Sequence, residues 1–164
     1  MDTEKTALLS SLNAQRNHVL GILEDVPDAD LRRPLLPSGW TCLGMVRHLI
    51  ISDERFWFRG IVTGEADILA LSDEHYGGAW LVDAATSADD VFGEYRAEIE
   101  RANAIITSTS LDSPPAYWPV DDWPNWRLAD LRAIMLHVIT ETACHAGHLD
   151  AARELIDGRK WMTS

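Results

Sequence analysis

The stretch HVITETACHAGH, His137 to His148, carries four titratable side chains at spacings that a helix would gather on one face. A helix turns about 100° per residue, so with His137 at zero, Glu141 falls at about 40°, His145 at about 80° and His148 at about 20°. Leu136, Val138, Ile139, Leu149 and Ala152 surround this stripe, which argues against a plain solvent face. Burying imidazoles and a carboxylate without partners costs several kcal/mol. A divalent cation compensates all of them together, because it pairs with the carboxylate and takes the imidazole lone pairs. Glu141 and His145 stand four residues apart, so both reach one ion.

A third ligand must come from another element, and His48, in GMVRHLIIS, is the best candidate. His18 stands among Arg16, Asn17 and Glu24 and reads as solvated, and His75 falls in a loop. The metal candidates are therefore His48, Glu141 and His145. His148 joins them as a catalytic candidate that orients a ligand or relays a proton, and His137 is placed to do the same. Ser52 and Arg55 lie nearest the face of His48, where Arg55 would hold a carboxylate or sugar hydroxyl of a cofactor. Trp118 and Trp123 sit among prolines as candidates for a pocket mouth, whereas Trp40, Trp57 and Trp126 read as packing residues. Cys144 points away from the stripe and reads as a small core residue. Cys42, near a helix start, is only slightly better placed as a nucleophile.

Four segments with helical periodicity must position these groups. The first, about Thr3 to Glu24, repeats Leu8, Leu9, Leu12, Val19, Leu20 and Leu23 at helical spacing and stops at Pro27, with one short turn over Asp28 to Arg32. The second starts at Thr41, a plausible N-cap, and runs to about Arg59, with Gly60 and Gly64 marking its end. The third follows Thr86 or Ser87, with Asp89 and Asp90 in the first turn, where the helix dipole favours acids. The fourth runs from about Leu128 to Ile156, capped by Gly158. Long connections, Gly64 to Ala85 and Ser108 to Trp126, precede the third and fourth helices. No segment reads as a strand, so the fold class is all-α, a four-helix bundle in one domain over residues 1–164.

The chain of 164 residues has a formal net charge of −12 and no cluster of Lys or Arg, which disfavours a nucleic-acid partner. No run approaches the roughly 18 apolar residues that a membrane span needs. The first residues lack a basic segment followed by an apolar run, and two cysteines make no disulfide framework. The expected location is cytoplasmic. Trp161 and Met162 near the C-terminus call for cover, which a homodimer would supply.

Two stretches, LRRPLLPSGWTCLGMVRHLIISDERFWF (Leu31 to Phe58) and LRAIMLHVITETACHAGHLDAARELIDG (Leu131 to Gly158), resemble the DinB-like superfamily. Within it, they are similar to the actinobacterial branch of mycothiol-dependent maleylpyruvate isomerases and mycothiol S-transferases. The resemblance runs the length of the chain in order and implies an up-down-down-up four-helix bundle. It also implies a metal triad at His48, Glu141 and His145. Many members carry His where this chain has Glu141; the Glu form resembles the mycothiol-dependent isomerase. The implied function is a metal-dependent thiol S-transferase or isomerase, joining a low-molecular-weight thiol such as mycothiol to a small electrophile. The implied cofactor is one divalent ion: zinc first, then nickel, iron or manganese. Two other readings fit the same ligands, a metal-dependent hydrolase and a metal-binding stress-response protein without turnover.

Overall fold

Thr41 starts the second apolar stripe as expected: its side chain accepts from the Gly44 N–H at 3.0 Å. A computed structural model describes residues 3–71 and 78–161. Helix α1 spans Thr3–Ile22 and the short α2 Asp28–Leu31. Helix α3, Cys42–His48, continues without a break into a π-helical segment, Leu49–Val62. The short α4 is Ala66–Leu69, α5 is Ala88–Ser108 and α6 is Leu131–Asp157. Among the described residues there is no strand, and no helix is long and apolar enough to cross a membrane.

The ends follow local chemistry. Ser87 caps α5 by accepting from the Asp90 N–H at 3.1 Å. Helix α6 begins at Leu131, later than the apolar pattern suggests, because Asp130 is the N-cap and accepts from the Ala133 N–H at 2.9 Å. Gly158 closes α6 at φ 76°, a conformation that favours glycine. Gly60 does not end the second helix as the sequence suggests. It lies buried inside the π segment where α4 packs: a Cβ there would stand 3.3 Å from the Leu69 side chain. The chain turns instead at Gly64, φ 71°.

Helix α1 packs along α6, and α5 along the π segment; α3 and the π segment also meet α6. Two apolar clusters fill the interior. One gathers Val19, Leu43, Val46, Leu49, Tyr95 and Leu149; the other gathers Leu12, Phe58, Ile61, Ile106, Ile134 and Val138. Each such side chain taken fully from water contributes about 1.5–3 kcal/mol.

A buried ion pair fixes α1 against the π segment. Arg16, 1% exposed, donates from Nε to Glu54 Oε1 at 2.7 Å and from Nη2 to Glu54 Oε2 at 2.5 Å. Its Nη1 reaches Asn13 and Asn103, which ties in α5. Removing one partner of such a pair costs about 3–5 kcal/mol, because the other charge stays buried.

Candidate functional site

The α6 stripe faces α3. The His48 and His145 rings meet edge to face with centroids 5.0 Å apart. The Glu141 carboxylate lies 3.9 Å from His145 Nε2. The other His145 nitrogen, Nδ1, is buried with no hydrogen-bond partner among the described residues. Burial lowers the His145 pKa below its ordinary value; the Glu141 charge opposes that shift and His148 adds to it. A neutral imidazole of this kind keeps a lone pair available. His148 is exposed, its ring 5.8 Å from that of His145. The Glu141 side chain is 42% exposed, so the stripe is half-buried rather than sealed. Among the described residues, no group of three or more His, Cys, Asp or Glu is gathered closely enough to hold a metal ion. His75 lies outside the described residues.

Trp80 is the neighbour that the sequence reading missed. Its indole stacks on the His48 imidazole, centroids 4.1 Å apart and planes 12° apart, and lies 6.1 Å from the His145 ring. Gly44, one turn before His48 on the same helix face, permits this: a Cβ there would come within 2.6 Å of the Trp80 carbonyl oxygen. Trp40 reads as a packing residue in the sequence, yet its ring stands 6.4 Å from His148. The loop spacing around Trp80 carries no periodic signal. The buried glycine one turn from the helical histidine was the clue available.

Arg55 is engaged with α5. Its guanidinium donates to Glu94 at 2.6 Å and to Glu98 at 3.1 and 3.2 Å, facing α5. Arg59 and Arg101 also donate to Glu98, whose side chain is 1% exposed. Arg55 is thus part of an ion-pair network that joins the π segment to α5, because the acids of α5 offer it a buried carboxylate. Ser52 and Asp53 are buried, and neither Ser52 Oγ nor Asp53 Oδ2 has a hydrogen-bond partner among the described residues. Burial pushes the Asp53 carboxyl well above the usual carboxylate range, and the charges of Glu54 and Glu141 push the same way against Arg16.

Trp118 and Trp123 pack on Trp57 and Trp126, the two rings that meet His137. The Trp57 ring is 4.7 Å from His137 and Trp126 5.5 Å, with Trp123 stacked on Trp57 at 5.7 Å. Trp118 packs against Trp57 and donates its indole N–H to the Trp126 carbonyl at 3.1 Å. His137 therefore sits in an aromatic cluster, one turn from Glu141.

Three smaller readings change. Cys144 is exposed, not a core residue. His18 is half-buried and accepts from the Trp161 indole N–H at 2.9 Å. Trp161 thus lies on its own α1, over Gly21; Met162 lies outside the described residues.

Comparison with the curated proteins and with the solved structures finds no significant match. A family profile, described as mycothiol-S-transferase, matches residues 7–158. That span takes in α3, α5 and α6 whole and most of α1, along with both histidines that meet between α3 and α6. The chain belongs to the mycothiol-S-transferase family.

Proposed function

We propose that the protein is a metal-dependent transferase that joins a low-molecular-weight thiol of the mycothiol type to a small electrophile. One observation carries the reading beyond family membership: imidazoles from two helices meet at 5.0 Å beside a carboxylate 3.9 Å from one of them. Two imidazoles and one carboxylate are donors that suit a divalent ion, and holding one requires these side chains to draw closer than they stand here. His48, His145 and Glu141 would hold the ion, with zinc first and nickel, iron or manganese as alternatives. When bound, such an ion favours the thiolate form of a ligating thiol at neutral pH.

The chain's own residues do the rest. Trp80 covers one face of His48 and keeps water from it. His148, exposed beside His145, accepts the proton that the thiol gives up. The sulfur forms the new S–C bond, and the leaving group departs with the bonding electron pair. The same reading takes α1, α3 with its π segment, α5 and α6 as a DinB-like, up-down-down-up four-helix bundle over residues 1–164. It places the protein in the cytoplasm and includes a homodimer, which a monomer in sedimentation at micromolar concentration would refute.

The test starts with metal analysis of the purified protein, followed by thiol conjugation with and without chelator. His48→Ala, Glu141→Ala and His145→Ala should each lose the ion and the activity, while His148→Ala keeps the ion and slows turnover. Conjugation undiminished after complete metal removal overturns the metal role. Hydrolysis of esters or amides without any thiol would favour a hydrolase instead.

A further inference from the structure

A cavity of about 640 Å³ opens at the start of α3, lined by Arg32, Trp40, Leu43, Trp80, Val82 and Ala84 among others. Its size falls within the range of small-molecule sites, about 300–1,000 Å³. Two of its walls also belong to the site already described. The Trp80 indole stacks on His48, and the Trp40 ring stands 6.4 Å from His148. The cavity therefore shares two indole walls with the histidine cluster.

The lining also says what kind of molecule fits. Arg32 is the only charged residue among the described lining residues. Its guanidinium is already committed, donating from Nε to Asp28 at 2.8 Å and from Nη2 to the Thr86 carbonyl at 2.5 Å. The Thr41 hydroxyl accepts from the Gly44 N–H as the cap of α3. What remains is mainly indole, leucine, valine and alanine surface, with Ser38 and Gly39 the exceptions. An anionic ligand would find no uncommitted cation there, whereas a flat apolar one would leave water for two aromatic faces.

We propose that this cavity holds the electrophile, and that the electrophile is uncharged, flat and predominantly apolar. The inference rests on the S-transfer reading above and adds the substrate class to it. It also sets this chain apart from a site built for a carboxylate substrate.

The test is calorimetric titration of the full chain with 2-naphthol and with its anionic counterpart 2-naphthoate, with no thiol present. The neutral probe should bind saturably and at least about tenfold more tightly than the anion. Val82→Phe, which fills the cavity, and Ala84→Glu, which charges its exposed mouth, should each weaken 2-naphthol by at least about tenfold. Thermal melting of each variant checks that it is folded. Equal binding of the two probes, or binding unchanged in both folded variants, overturns the proposal. Because no thiol or turnover enters, probe binding without conjugation activity sinks the S-transfer reading alone. Conjugation that proceeds undiminished in both variants sinks the cavity assignment alone.

Discussion

The Trp80 indole lies flat on the His48 imidazole, at 4.1 Å between centroids. The contact depends on a missing side chain, because the Trp80 carbonyl occupies the space where Gly44 would carry a Cβ.

Gly44→Ala is therefore expected to destabilise the protein. The gain from alanine in a helix is about 0.5–1 kcal/mol, while forcing atoms into a filled space costs about 1–3 kcal/mol. The second effect wins, since the obstacle is backbone. Gly93 in α5 has nothing within 4 Å of its absent Cβ, so Gly93→Ala should show the gain alone. Urea denaturation of the two variants should give opposite signs.

Asp53→Asn should stabilise the metal-free protein at neutral pH. Burial holds the Asp53 carboxyl well above its ordinary value. A raised carboxyl stabilises fully below its unfolded pKa and loses that contribution as pH rises toward the folded one. The amide removes the charge, so the gain should be about 1–3 kcal/mol near neutrality and should vanish near pH 4, close to the ordinary Asp value. A gain equal at both pH values would contradict the burial argument.

The His137 pKa lies below its ordinary 6.5 because of burial, partly offset by Glu141. A lowered histidine contributes stability above its unfolded value, lost as pH falls through the folded one. The melting temperature should drop on acidification from pH 6.5, and the drop should be smaller in His137→Gln. His145, also lowered, keeps the remainder. An unchanged slope in the variant would mean that His137 does not titrate in this range.

The two cysteines should react differently. Burial pushes the Cys42 thiol up to about 11, whereas Cys144 is exposed. A thiol reagent should modify Cys144 in the native protein and reach Cys42 only in denaturant. Native Cys144→Ser should not react.

Much of this arrangement is legible in the residues. Thr41, Ser87 and Gly158 announce their caps because capping is local chemistry. The α6 rotation brings Glu141 and His145 together for the same reason. What escaped depends on partners distant in sequence. Arg55 reads as available in the sequence, and only the fold brings the acids of α5 against it. Trp80 sits in a loop whose path is set by a gap in α3. The π winding after His48 escapes a reading by apolar period, because burial there takes in Ser52, Asp53 and Glu54 as well as the apolar residues.

Trp57, Trp118, Trp123 and Trp126 hold their ring centroids between 5.2 and 6.1 Å of one another. Chromophores this close share their excited states. The four will absorb as one coupled assembly and pass excitation among themselves. The resulting aromatic bands will overlap the far-ultraviolet helix signal, so a helix content read from circular dichroism will be biased by the cluster.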